Sequence, residues 1–200
     1  MEKMRKYLLI TLVCVILIIP MFFGIYLEYL FIREFTLIVI FNLISGFIIF
    51  LVINKLIVVY GYDSQSFEAI KKQDVIHAMI SKNHKAVIWI FLPMTMLFEE
   101  LIFRYYMIGL LLNQGGLNII SAILISSIVF SLYHIHTWFR FKNLRILLIY
   151  FGNSFLLGLF NGYILLTLGL IPCIFIHFAL VLLLYYKIYT RYFEGNINSK

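Results

Sequence analysis

Six stretches of this chain are apolar for about twenty residues or more, the length a helix needs to cross the hydrocarbon of a bilayer. They are Tyr7 to Leu27, Phe35 to Tyr60, Ala86 to Leu112, Leu117 to about Phe139, Leu144 to about Leu166, and Ile171 to Tyr189. The third is interrupted only by a charged cluster near its middle. In lipid the backbone must satisfy its own hydrogen bonds, which leaves helices or a closed barrel. No stretch alternates strictly between apolar and polar residues, which argues against a barrel. With 64% hydrophobic and 12% charged residues the chain has too little polar surface for water, since soluble domains carry roughly 25% charge. The expectation is an all-α, polytopic membrane helix bundle of about six transmembrane helices, forming a single integral membrane domain over residues 1–200.

The basic residues fall in alternate connections. Lys3, Arg5 and Lys6 precede the first stretch, and Lys71, Lys72, Lys82 and Lys85 lie between the second and third. Arg140, Lys142 and Arg145 lie between the fourth and fifth, and Lys187 and Arg191 close the sixth. The other connections hold Arg33 with Glu28 and Glu34, or no charge at all. The positive-inside rule then predicts that both termini are cytoplasmic. The net charge of +7 is a topology signal, and its scatter over short loops argues against a nucleic-acid partner. The first stretch is too long in its apolar core for a signal peptide and is followed by no small-residue cleavage site. Cys14 and Cys173 both fall inside apolar stretches, which excludes a disulfide framework or a zinc-finger spacing. The polar segment from Gly61 to Lys85 reads as a cytoplasmic loop. Phe67, Ile70, Val75, Ile76, Met79 and Ile80 predict an amphipathic helix there, lying on the membrane surface.

Ionisable groups at membrane depth cost several kcal/mol, so they usually face the bundle interior and serve a function. Here they are Glu99, Glu100 and Arg104 in the third stretch, His134 and His136 in the fourth, and His177 in the sixth. Asn153 and Asn161 lie in the fifth. Glu100 and Arg104 are four residues apart and can pair on one helix face. Glu99 is turned about 100° from Glu100, which makes it the candidate chemical group. His134 falls toward the cytoplasmic half and His177 slightly outside the middle, so Glu99, His134 and His177 converge only if helices tilt or break. Once converged, one carboxylate and two imidazoles can bind a metal that acidifies a water, or act as a general base with two polarising partners. His136 and the two asparagines read as bonds between helices, and His77 and His84 as solvated loop residues.

These residues also carry a family resemblance. "EELIFR", Glu99 to Arg104, is similar to the EExxxR motif of the CPBP intramembrane proteases, which include the type II CAAX prenyl proteases and the Abi proteins. "FSLYH", ending at His134, resembles the second motif FxxxH, and His177 resembles the histidine of the third, HxxxN. The resemblance covers roughly residues 86–190, as a protease-like core. It implies a membrane protease cleaving a membrane-associated protein or peptide within or beside the lipid bilayer. It implies that Glu99 activates water with His134, that Glu100 and Arg104 support the site, and that His177 stabilises the oxyanion or contacts the water. The family is described as metalloproteases, and a metal-free, glutamate-driven mechanism is also argued for it. The resemblance therefore implies a divalent metal such as zinc at Glu99, His134 and His177, or no cofactor. One position departs: four residues after His177 stands Val181, not Asn. A non-enzymatic immunity or scaffold protein on the same fold is the main alternative, and a proton-coupled carrier the lesser one, since no inverted repeat is visible.

Overall fold

The computed structural model describes residues 2–81 and 85–191, with side chains from residue 7 onward. Lys82 and His84 lie outside the described residues, as do the side chains of Lys3, Arg5 and Lys6. All regular structure among the described residues is helical: α1 Glu2–Phe22, α2 Leu37–Leu56, α3 Ser64–Ile70, α4 Asp74–Ser81, α5 Leu92–Glu99, α6 Met107–Asn113, α7 Ile119–Tyr133, α8 His136–Phe141, α9 Leu144–Leu168 and α10 Leu170–Tyr189. Turns of π-helix occupy Ile57–Gly61, Val87–Phe91 and Glu100–Tyr106.

Four segments among the described residues are long and apolar enough to cross a membrane: Leu37–Gly61, Ile119–Phe141, Leu144–Leu168 and Leu170–Tyr189. The other two expected spans take different forms. Tyr7–Phe22 is a shorter apolar helix. The stretch from Val87 to Asn113 stays helical but passes through two π-helical turns, with Pro93 in the first turn of α5. Large apolar side chains such as Leu8, Phe22, Leu37 and Phe41 point outward. The chain is an integral membrane protein of all-α class, and its solvent on this face is lipid.

Small residues bring α7 and α9 together. A Cβ at Gly158 would lie 2.8 Å from Ser127, and one at Gly162 would lie 2.9 Å from Ile123. Close backbone approach of this kind is how helices associate in lipid, where no hydrophobic drive separates helix from solvent. Serines on α7 add polar ties: Ser126 donates to the Phe103 carbonyl, and Ser131 donates to that of Phe151 at 2.6 Å. Between α9 and α10 the chain reverses at Gly169, with φ +86 and the Phe31 carbonyl 2.7 Å from where a Cβ would stand. Only glycine meets both conditions.

The segment from Gly61 to Lys85 corrects the expected surface helix. It forms two short helices, α3 and α4, whose apolar residues pack inward. Phe67, Ile70, Val75 and Ile76 are buried in one core with Leu92, Met96, Ile146, Tyr185 and Ile188. The loop faces protein because α5, α9 and α10 present an apolar surface that it covers. A second core gathers Leu101, Tyr105, Ile108, Ala122, Ile164 and Cys173. Glu99 and Glu100 fall between Met96 of the first core and Leu101 of the second.

Candidate active site

Two breaks in regular helix set the site. Glu99 ends α5 and Glu100 opens the π-helical turn. A π turn holds one more residue than the regular helix allows, and such turns are frequent at functional sites. The second break ends α7 at Tyr133, with His134 in the turn before α8. These breaks, not tilt alone, let residues of different expected depth share one cavity.

Glu99 and Glu100 bracket one imidazole. His177 Nδ1 lies 2.6 Å from Glu100 Oε1, and its Nε2 lies 3.7 Å from Glu99 Oε2. A carboxylate only accepts, so Nδ1–H donates to Glu100, and Nε2 faces Glu99. Glu100 is fully buried and further supplied with donors. Asn161 Nδ2 donates to Oε1 at 3.0 Å, and the Cys173 thiol donates to Oε2 at 2.9 Å. Arg104 Nε stands 3.4 Å from Oε2 as an ion pair. No hydrogen-bond partner for the three guanidinium nitrogens is found among the described residues. The guanidinium instead lies over the Phe130 ring, 3.8 Å from its centroid.

Phe130 links that charge to both histidines. Its ring meets His134 edge-on at 4.8 Å and His177 edge-on at 5.9 Å. His134 Nδ1 is 2.9 Å from the Phe130 carbonyl, so its proton sits on Nδ1 and Nε2 is left as an acceptor. His136 is exposed, with Nδ1 on the Tyr133 carbonyl at 2.8 Å.

A cavity of about 340 Å³ runs from this cluster to the loop side. Glu99, Phe130, His134 and His177 line one end, and Gln73, Asp74 and Arg140 line the other. Asp74 and Arg140 pair at 3.1 Å. Val181 lines the wall, as do Tyr62, Tyr150, Asn153 and Tyr185. Glu100 and Arg104 do not line it; they stand behind His177 and Phe130. Residues 82–183, half the chain, match the family described as Type II CAAX prenyl endopeptidase Rce1-like. The chain belongs to that family. The family is one of peptide hydrolases, and membership gives this chain the class of a CAAX-protease-like endopeptidase of the membrane with a protein or peptide substrate. No curated protein and no solved structure matches it.

Two further residues belong to the site. Cys173 precedes His177 by one helical turn, so both reach Glu100 from one face of α10. Asn161, read as a bond between helices, is one, but its acceptor is Glu100 itself. Both histidines have the Nδ1 anchor common in metal-ligating imidazoles. Among the described residues, however, no group of three or more His, Cys, Asp and Glu side chains is arranged to hold a metal ion. Glu99, His134 and His177 are not gathered into such a group.

Proposed function

We infer that this protein hydrolyses a peptide bond of a membrane-associated substrate, with Glu99 as the general base. The observation that carries the reading is the bracketed imidazole: two adjacent carboxylates at the two nitrogens of His177, one buried among donors and the other on a cavity wall. Glu100 fixes the tautomer and orientation of His177, and Arg104, Asn161 and Cys173 hold Glu100 ionised. The Nε2 atom of His134 accepts one O–H of a water and leaves the other O–H for Glu99. Glu99 takes one proton from that water as its oxygen attacks the scissile carbonyl carbon. The carbonyl π pair moves to oxygen, giving a tetrahedral oxyanion. Glu99 then delivers the proton to the amide nitrogen, the C–N bond breaks, and the products are a carboxylic acid and an amine.

The cavity's polar end adjoins the basic connections, which supports entry from the cytoplasmic side and cytoplasmic termini. Cysteines placed singly at Lys72 and Asn113 test this with an impermeant reagent on intact cells: Asn113→Cys should label and Lys72→Cys should not. The chemistry is tested on the full chain in detergent with an internally quenched, farnesylated CAAX peptide. Wild type should cleave it, and Glu99→Gln should reduce kcat to background while leaving the melting temperature near wild type. Full activity in Glu99→Gln would remove Glu99 from the mechanism. A wild type that cleaves neither this peptide nor a library of membrane-protein segments would favour the scaffold reading.

A further inference from the structure

The tetrahedral oxyanion needs donors, and neither histidine supplies one as a neutral ring, because each Nδ1–H is already committed to Glu100 or to the Phe130 carbonyl. Val181 offers none. Other residues that line the cavity do. Gln73 Oε1 accepts from the backbone N–H groups of Val75 at 2.5 Å and Ile76 at 3.3 Å, capping α4. That fixes the amide, so Nε2 donates to the Tyr185 hydroxyl at 2.9 Å. The Tyr185 and Tyr150 hydroxyl oxygens are 3.0 Å apart. Each hydroxyl has one proton. Either hydroxyl can donate in this pair, and with Gln73 already donating to Tyr185 we assign the Tyr185 proton to Tyr150. The Tyr150 proton has no acceptor among the described residues, and Tyr150 lines the cavity.

Asn153 follows Tyr150 by three residues on α9, so the two share a helix face. It lines the same cavity, and its Oδ1 is buried with no hydrogen-bond partner among the described residues. A buried amide oxygen left bare is costly in lipid or protein alike. Oδ1 of Asn54 and Asn161 is equally bare, but of the three asparagines only Asn153 lines the cavity, where its Nδ2 can donate to a carbonyl. We propose that Tyr150 and Asn153 are the donors that bind the scissile carbonyl and its oxyanion, and that Gln73 and Tyr185 are positioning residues that set the direction of the Tyr150 proton. This rests on the protease reading above.

The relay makes a test that packing alone would not pass. Gln73→Glu keeps the oxygen that caps α4 but cannot donate to Tyr185. In that variant Tyr185 donates to the introduced carboxylate, Tyr150 donates to Tyr185, and the cavity faces a lone pair in place of a proton. With the farnesylated CAAX peptide and full-length protein, Tyr150→Phe and Asn153→Leu should each lower kcat about 100-fold, the scale of a lost oxyanion donor, with KM little changed. Gln73→Glu should match Tyr150→Phe, and combining the two should add nothing further, because both remove one proton from one place. Unchanged kcat in Tyr150→Phe and Asn153→Leu, with Glu99→Gln inactive, would overturn the donor pair alone. Additive losses in the Gln73→Glu, Tyr150→Phe double variant would overturn the relay. A wild type that does not cleave would overturn the protease reading and this proposal with it.

Discussion

Asn153 and Asn161 stand on one helix, eight residues apart, and the fold uses them in opposite ways. Asn161 is fully buried and donates to Glu100 in a cluster of four groups around one carboxylate. Both leave Oδ1 buried without a partner among the described residues, but only Asn153 lines the cavity. The same amide is therefore structural on one side of His177 and chemically available on the other. The difference teaches where the boundary of the site lies: the groups behind His177 are sealed from the cavity, and those in front line it.

The sharpest way to break the closed side is Arg104→Ala. It leaves Glu100 buried without its cation, and breaking a buried pair by removing one partner costs about 3–5 kcal/mol. The Phe130 ring loses its overlying guanidinium as well. Folded yield and the melting temperature in detergent should both fall, and cleavage should fall with them. A normal melting temperature would mean that His177, Asn161 and Cys173 suffice to hold Glu100.

The two asparagines themselves give the next contrast. Asn161→Leu removes a hydrogen bond to a charged group, worth about 1.5–3 kcal/mol, and thermal melts should show the loss. Asn153→Leu removes an amide that has no partner at Oδ1 among the described residues, so the melting temperature should stay level or rise while cleavage drops. If both variants lost stability alike, the division into a closed and an open side would fail.

Much of this was legible in the sequence, and for identifiable reasons. Long apolar stretches specify helices in lipid whatever their neighbours are, so the bundle followed from Leu, Ile and Phe alone. The ionisable residues announced themselves because charge is rare at that depth, and the i,i+4 spacing of Glu100 and Arg104 placed them together. The convergence of Glu99 with His177 was not legible. It depends on the π-helical turn at Glu100–Tyr106 and the turn at His134, and neither leaves a Gly or Pro mark where the helix changes. The inward packing of Ile70 and Ile76 was likewise hidden, since an amphipathic face reads the same whether it meets lipid or protein. The roles of Asn153 and Asn161 were indistinguishable because the residue type is the same and only the neighbour across the helix differs.

The smallest expected effect concerns Cys173, and it asks how redundant the closed side is. Its thiol lies 2.9 Å from Glu100 Oε2 and 3.4 Å from the Asn161 carbonyl. One S–H serves one acceptor at a time, and the charged, nearer oxygen takes it. Cys173→Ser keeps a donor on the same atom position with a shorter bond to carbon, so Glu100 should keep its partner set and the protein its melting temperature. Cys173→Ala removes the donor but leaves Glu100 with His177, Asn161 and Arg104, and it should cost only about 0.5–1.5 kcal/mol. Cleavage should persist in both, because neither change touches Glu99 or the cavity wall. Loss of cleavage in Cys173→Ala with a retained melting temperature would place this thiol among the groups that tune Glu100 rather than merely pack it, and would move the boundary between the two sides one residue outward.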